Sequence, residues 1–445
     1  MPTSPAQRPT HARYWVLLCV FVITVIYYAD RATLSIVGTD LARDLHLDPV
    51  ELGLLMSAFS WAYMALQIPG GWLLDRAGSK RVYQWSICGW TLFTLLQGFV
   101  NLLGVAKIAA NTLFGLRLAL GVVEAPSFPA NSRIVAAWFP SVERGRASAV
   151  YNAAQYFAPA LFSPLMGWIT SDFGWRYVFW MMGGLGLVFS LLWTRLMHSP
   201  REHPWANAAE VGLIEQGGGL VDLDRPAAGR KTGFRWSQLR ELLANRMLLG
   251  IFFGQYCINV LTWFFLTWFP IYLVKDRGMT ILKVGFVAVL PYMCGFVGGI
   301  LGGWFSDGLL KKGWSLSAAR KTPIVIGMML AMSMTACNYV STQWAVIFLM
   351  SLAFFGKGFG ALGWAVMSDV APRTAAGLSA GLFNTFGNLA GVVTPIVIGH
   401  IFKATGSFSA ALVYVSAHAF LAVVSFLVIV GEIRRVELSP APSAA

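Results

Sequence analysis

Gly70-Gly71-Trp72-Leu73-Leu74-Asp75 returns further along the chain as Gly302-Gly303-Trp304-Phe305-Ser306-Asp307. The same offset carries Lys80 to Lys312, Pro140 to Pro372, Gly145 to Gly377, Asn152 to Asn384 and Gly167 to Gly399. One match alone means nothing. A set held in a single register argues that the chain is two copies of one half. Long apolar runs surround both copies, so each half reads as membrane-embedded. Such a duplication puts a substrate site on the pseudo-symmetry axis between the copies and lets the copies rock about it.

A soluble chain of 445 residues would fold into roughly two to four domains. Composition excludes that: 57% of the residues are hydrophobic, 12% are charged, and the mean hydropathy is positive. Apolar runs of about 20 residues, long enough to cross a bilayer as a helix, recur along most of the chain. Twelve helices are expected, at 14–38, 50–74, 82–101, 107–133, 145–170, 175–197, 246–274, 282–306, 320–340, 342–368, 376–402 and 408–431. In hydrocarbon only helices or closed barrels satisfy the backbone, and these runs are too long for barrel strands. The fold class is therefore an all-α polytopic membrane protein. Residues 1–197 are expected to form one six-helix bundle and 245–445 the second. Between them, 198–244 carries Pro200, Pro204, Gly217-Gly218-Gly219, Pro226 and charges of both signs. It reads as a cytoplasmic linker with room for a short surface helix.

A net charge of +13 could suggest nucleic acid, but its placement points elsewhere. Most of the 33 Lys and Arg fall on alternate loops, among them Arg144, Arg146, Lys311, Lys312, Arg320, Lys321, Arg434 and Arg435. That bias puts both termini in the cytoplasm. Lys275, Arg277 and Lys283, on an outer loop, are the exception. Cys19, Cys88, Cys257, Cys294 and Cys337 all lie within expected helices. Their number is odd and no pair has metal-ligand spacing, so they read as small apolar fillers, and no metal or cofactor is expected. The first apolar run is long and lacks a small-residue cleavage site, so it is expected to stay as the first helix.

The run Gly71-Trp72-Leu73-Leu74-Asp75-Arg76-Ala77-Gly78-Ser79-Lys80-Arg81 joins helices two and three. It is similar to the pattern G-x-x-x-D-R-x-G-x-K-R of the major facilitator superfamily. Each position has a physical reading. Gly71 lets a neighbouring helix come close. Asp75 can pair with a basic group or cap a helix end. Gly78 makes the turn, and Arg76, Lys80 and Arg81 hold the loop at the membrane surface. The alternative is an ordinary basic loop. The second copy has Asp307 and Lys312 but no Arg after the Asp, so a conformational lock built on it is expected to be asymmetric.

A charge at mid-membrane costs at least ~2.5 kcal/mol, which makes each one a functional hypothesis. Asp30 and Arg31 sit in the outer half of helix one. Arg117 and Glu124 sit seven residues apart on helix four. That spacing is two turns, so they share a face at about 10 Å separation. The bland reading is a set of ion pairs that holds helices one and four together, although buried ion pairs are poor staples. The functional reading divides the labour. Arg31 offers a fork of donors suited to a carboxylate. Asp30 and Glu124 exchange protons, a carboxyl switching state when its charged partner changes. Arg117 is the expected partner that releases the proton of Glu124. Arg133 and Lys357 could stabilise helix ends, reach the surface or meet a second carboxylate, and the structural reading is preferred for both.

Hydrogen-bonding groups in apolar runs come next: Tyr63, Gln155, Gln255, Asn259, Asn384 and Asn388, with Trp364 as a flat wall. Gln255 and Asn259 are four residues apart and so share a helix face. Each alone is more often interhelical glue. Together they suit a small, hydroxyl-rich anion.

Three further stretches carry a closer resemblance: Asp30-Arg31-Ala32-Thr33-Leu34-Ser35-Ile36, Glu124-Ala125-Pro126-Ser127-Phe128-Pro129-Ala130 and Gly356-Lys357-Gly358-Phe359-Gly360-Ala361-Leu362-Gly363-Trp364. They resemble the sugar-acid transporters of the anion:cation symporter branch, and most nearly the bacterial glucarate/galactarate permeases. Tyr27 departs from the Asn common there. The resemblance implies a proton-coupled importer of a hexarate in the bacterial inner membrane, not an enzyme. It implies proton coupling by Asp30 and Glu124 with modulation by Arg117. It implies substrate contacts by Arg31, Tyr63, Gln155, Gln255, Trp364 and Asn384. The expected partners are a sugar-acid anion, protons and lipid, and the working unit is expected to be a monomer. A sugar monoacid such as galactonate or a hexuronate is the alternative substrate. A membrane enzyme is a remote one, since His11, His46, His198, His203, His400 and His418 are scattered.

Overall fold

The computed structural model describes residues 8–140, 143–224, 236–372 and 375–438. Among these residues every regular element is a helix. Contacts group the chain into two compact units, Met1–His46 with Trp61–Arg230, and Leu47–Ser60 with Lys231–Ala445.

The first unit contains α1 (Ala12–Asp44), the end of α2 (Pro49–Ala65), α3 (Gln67–Ala77), α4 (Ser79–Gln97), α5 (Ala106–Glu124), α6 (Ser127–Trp138), α7 (Arg144–Asp172), α8 (Trp175–Leu196) and α9 (Ala208–Gln216). α1 packs on α7 and α8, and α4 packs on α5 and α8. α1 runs past its expected end at 38, its last turn stabilised by a pair within the helix and by a bond from α8. Arg43 pairs with Asp40 at 3.1 Å, and the indole N–H of Trp175 donates to Asp44 at 2.9 Å.

The second unit begins with the start of α2 and continues with α10 (Trp236–Ala244), α11 (Arg246–Thr267), α12 (Phe269–Lys275), α13 (Ile281–Val287) and α14 (Val289–Lys311). α15 (Leu316–Ala331) follows and tightens into a 3-10 stretch, Met332–Tyr339. α16 (Gln343–Phe359), α17 (Gly363–Val370), α18 (Ala376–Thr405) and α19 (Ser409–Val424) complete it, with a π turn at Ser425–Ile429. Glycine sets its tightest packing. A side chain on Gly298 or Gly302 of α14 would strike the carbonyl oxygen of Phe355 or Phe359 on α16. Gly356 on α16 and Gly327 on α15 meet backbone to backbone. The start of α2 joins this unit in the same way: Gly53 faces the Pro395 carbonyl, and Gly399 faces that of Pro49. Asp48 and Lys403 close the contact with an ion pair at 2.9 Å.

These elements form the twelve expected spans, several of them broken in two. The break in the second span precedes Pro69, that in the fourth falls at Pro126, that in the seventh precedes Pro270 and that in the eighth precedes Pro291. A proline ring has no N–H to donate and collides with the carbonyl four residues back. Nine helical stretches among the described residues are long and apolar enough to cross a bilayer by themselves. α2, α3, α4 and α7 are outside those nine, and they carry polar groups such as Gln67, Thr94, Asn152 and Gln155.

Part of the linker docks on the first unit. Asn207 caps α9, its side-chain oxygen accepting from the Glu210 N–H at 2.9 Å. Glu210 is fully buried and in turn caps α1. It accepts from the N–H groups of Ala12 (3.0 Å) and Arg13 (3.2 Å), pairs with the Arg13 guanidinium at 3.2 Å, and accepts from the Thr10 hydroxyl. The N–H of Leu220 donates to the Ala136 carbonyl at 2.9 Å. The basic loop of Lys275, Arg277 and Lys283 has a local cause at Arg277, whose guanidinium closes the end of the 3-10 stretch by donating to the carbonyls of Cys337 (2.6 Å) and Val340 (2.9 Å).

Candidate functional site

In the first unit, α1 and α5 bring four buried charges together: Asp30, Arg31, Arg117 and Glu124. Pro126 ends α5 just past Glu124 and so leaves that carboxylate at a helix terminus. Arg31 Nε donates to Glu124 Oε1 at 2.8 Å, and a second guanidinium nitrogen reaches the same oxygen. The rings of Tyr63 (4.7 Å) and Tyr28 (4.9 Å) lie against the guanidinium. A planar cation held between aromatic faces is fixed in orientation as well as stabilised. Asp30 Oδ1 accepts from the Thr94 hydroxyl at 3.2 Å. Glu124 Oε2 and Asp30 Oδ2 are buried, with no hydrogen-bond partner among the described residues.

This pairing joins the first and fourth spans, as an ion pair between them would: α1 presents Arg31 to Glu124 across the gap. The charge of Arg117 acts through space on both Asp30 and Glu124. Gln155, on α7, turns onto its own helix and donates to the Asn152 carbonyl at 3.1 Å. Sequence reading missed Tyr28 and Thr94 as neighbours of the charged group. It also missed a set of buried hydroxyls below Glu124, whose one signal was Ser127 in the run after the glutamate.

The second unit gathers its own polar group where α11, α17 and α18 meet. Gln255 Nε2 donates to Asn259 Oδ1 (3.3 Å), and Asn259 Nδ2 donates to the Gly387 carbonyl (3.0 Å). Asn388 Nδ2 donates to Asn384 Oδ1 at 3.0 Å. The half-exposed Trp364 ring stands edge-on to Phe383, the residue before Asn384, with centroids 4.9 Å apart. Lys357 is buried on α16, its ammonium 5.5 Å from the Phe354 ring centre.

In the run from Gly71 to Arg81, Gly78 has φ +80° and makes the turn between α3 and α4. Gly71 departs from expectation. Among the described residues nothing lies within 4 Å of where its Cβ would sit, while the neighbouring Gly70 comes within 3.1 Å of Pro126. The close approach therefore belongs to Gly70, on the helix face that meets the break in the fourth span. The side chain of Asp75 lies outside the described residues. Arg76 stacks on Trp72, at 5.4 Å. Arg76, Lys80 and Arg81 line a cavity of about 620 Å³ that the linker's Asp224 also borders. Asp224 accepts from Ser79 (2.9 Å) and pairs with Arg133 (3.3 Å), which accounts for that arginine. In the second copy Asp307 finds its base on another helix: Arg320 reaches Asp307 at 3.3 Å and Asp369 at 2.8 Å.

A chain of two six-span repeats with buried charges on its first and fourth spans has the build of a secondary transporter. It belongs to the Major Facilitator Superfamily, whose sequence pattern matches residues 20–395. It is 57% identical over 440 residues to a probable galactarate/D-glucarate transporter of Escherichia coli K12, covering 98% of this chain and 97% of that one. It is 55% identical over 435 residues to a probable galactarate/D-glucarate transporter of Bacillus subtilis 168, covering 98% and 95%. Among solved structures it is similar to a D-xylose-proton symporter, with a TM-score of 0.72 at 15% identity over 94% of this chain and 98% of that one, a likeness of fold.

Proposed function

We propose that this chain imports a hexarate, glucarate or galactarate, together with protons by alternating access. The observation that carries the reading is the fork of Arg31 closed on Glu124 between two tyrosine rings. A fork that receives one carboxylate receives another. Protonating Glu124 removes its negative charge and frees the fork for a substrate carboxylate; losing the proton returns Glu124 to Arg31 and expels the substrate. Asp30 takes the second proton, under the charge of Arg117. Gln155 in the first unit, and Gln255, Asn384 and Trp364 in the second, read the hydroxyls and carbon chain of the substrate. The motif from Gly71 to Arg81, with Asp75, steadies one access state. The names of the relatives above support the substrate class. The chain works as a monomer in the bacterial inner membrane, with both termini cytoplasmic and no cofactor beyond its coupling protons.

Charge makes the reading quantitative. Moving one charge through 100 mV is worth ~2.3 kcal/mol, so a dianion entering an inside-negative cell is opposed by roughly twice that. Two protons cancel the charge and leave the pH gradient as the driving force. The test is uptake of labelled glucarate into proteoliposomes with and without an inward proton gradient. Uptake should follow the gradient. Strong stimulation by an inside-negative potential alone would contradict the stoichiometry. A monoacid is the second reading, favoured by the single fork that Arg31 presents. Competition by hexarate, hexonate and hexuronate against labelled glucarate separates the two.

A further inference from the structure

Below Glu124 the first unit holds two groups of buried hydrogen-bonding side chains, and they differ in kind. The first joins three helices. The hydroxyls of Tyr27 (α1) and Ser86 (α4) are 3.1 Å apart, and those of Ser86 and Ser127 (α6) are 2.8 Å apart. In both bonds either oxygen can donate. The second group lies one turn further towards the start of α1. Tyr83 donates to Asn131 Oδ1 (2.8 Å), Asn131 Nδ2 donates to Thr24 Oγ1 (3.0 Å), and Thr24 donates to the Val20 carbonyl (2.6 Å). Its direction is fixed at every bond, because an amide stands in the middle and a carbonyl at the end.

That contrast separates a relay from a staple. A proton moves along hydroxyls only if each oxygen can accept one proton while giving up its own, so the row must be reversible. The Tyr83–Asn131–Thr24 row is not. The Ser127–Ser86–Tyr27 row is, and Ser127 follows Glu124 by three residues, across the break at Pro126; the Oε2 of Glu124, which Arg31 leaves unused, is free to turn to it once the carboxyl is protonated and leaves the fork. All three hydroxyl residues are buried, so bulk water does not stand in for them.

We infer that the hydroxyls of Ser127, Ser86 and Tyr27 form the path by which the proton of Glu124 passes to solvent on the side where α1 begins. The inference rests on the proton-coupled reading above. The step balances without other reactants: Glu124 loses one proton, each hydroxyl accepts one and releases one, and water that reaches Tyr27 in the access state open on that side gains one. No hydroxyl becomes charged. The groups that bear on Glu124 electrostatically are Asp30, Arg31, Tyr27 and Tyr28 on α1, Tyr83 on α4 and Arg117 on α5.

The test compares Ser86→Ala, Ser127→Ala and Tyr27→Phe with Ser86→Thr and Ser127→Thr, which keep a hydroxyl, and with Tyr83→Phe from the fixed row. Proteoliposomes report glucarate counterflow at equal pH and glucarate uptake driven by a proton gradient, each in light and heavy water. In the three hydroxyl deletions, gradient-driven uptake should fall about tenfold or more, as expected when a positioned proton-transfer group is lost. Counterflow should persist. The threonine variants should recover uptake, and Tyr83→Phe should keep the native pH profile and solvent isotope effect. Unchanged gradient-driven uptake in all three deletions would overturn the inference. So would equal loss of counterflow and uptake, which would make the hydroxyls part of substrate binding or of the packing. Failure of the wider reading looks different, because the unaltered protein would then ignore the proton gradient.

Discussion

Replacing Glu210 by alanine should loosen the start of α1 while leaving the rest of the membrane bundle closed. The first N–H groups of a helix have no acceptor within the helix itself. Here the carboxylate of Glu210 is the acceptor for those of Ala12 and Arg13, and it binds the Arg13 guanidinium as well. Leaving a buried donor unsatisfied costs ~1–3 kcal/mol. Breaking a buried ion pair outright costs ~3–5 kcal/mol. The second figure is an upper bound, because Arg13 keeps Glu143 at 3.2 Å and is not stranded. A local cost of about 2–3 kcal/mol follows, and at ~1.4 kcal/mol per decade this is roughly a 30- to 150-fold rise in the opening equilibrium. Hydrogen–deuterium exchange of the segment from Thr10 to Val16, in lipid nanodiscs, reads it directly. Glu210→Gln, which keeps one acceptor oxygen, should fall between alanine and the native protein. Exchange along α15 should not change. Native protection at Ala12 and Arg13 in the alanine variant would refute the cap, and with it the claim that the linker is docked there.

Glycine spacing gives a paired outcome: Gly302→Ala should lower the melting temperature, at a cost of about 1–3 kcal/mol for overpacking against the Phe359 backbone, while Gly303→Ala, with open space around it, should melt like the native protein. Glu124→Gln should reduce uphill glucarate uptake more than about tenfold, keep counterflow, and make substrate affinity independent of pH; loss of counterflow would show that Glu124 is more than a proton carrier. The carboxyl of Asp48 is held below its ordinary range by the Glu51 and Val50 N–H groups and by Lys403. A depressed carboxyl contributes stability above the unfolded-state value and loses it as pH falls through the folded-state value. The difference in melting temperature between native protein and Asp48→Asn should therefore persist at neutral pH, correspond to under about 1 kcal/mol for so exposed a pair, and vanish in acid below the ordinary carboxylate range; a difference that survives there would assign it to something other than the charge.

Apolar length was enough to read the spans, because a bilayer imposes that length on any helix that crosses it. The same reading drew the fourth span as one helix over 107–133, although Pro126 was in plain view; length alone does not say whether a proline bends a helix or divides it. The charged residues were legible as a set, since each is costly in hydrocarbon. Ion pairs between helices one and four were legible too, but not which base meets which acid: Arg31 is a base that closes on Glu124 from another helix. Gly70 and Gly71 are indistinguishable in a motif, and only the rotation of α3 decides which of them meets Pro126. The docking of the linker was hidden for the opposite reason. Glu210 and Asp224 lie in a polar stretch where a carboxylate attracts no notice until a helix start or an arginine is found beside it.

Under the proposed proton-coupled function, the arrangement around Arg31 also explains why a fork and two rings are better suited to exchange than a stronger trap would be. Were the guanidinium open to water, a substrate carboxylate would compete with solvent and bind weakly. Were it buried with no partner, its charge would be too costly to keep. Glu124 removes that cost by occupying the fork whenever the substrate does not. Displacing one carboxylate by another changes the number of charge-assisted bonds little, so the exchange is close to balanced and a small term decides it. A single proton supplies such a term: each pH unit across the titration of Glu124 is worth ~1.36 kcal/mol, a tenfold shift in which carboxylate holds the arginine. The tyrosine rings of Tyr28 and Tyr63 lie against the guanidinium while Glu124 holds it, and the proposed exchange needs them to keep its plane when the substrate does. A lysine in place of Arg31 would keep the charge but lose the fork and the stacking, and with them the equivalence of the two occupants on which the coupling depends.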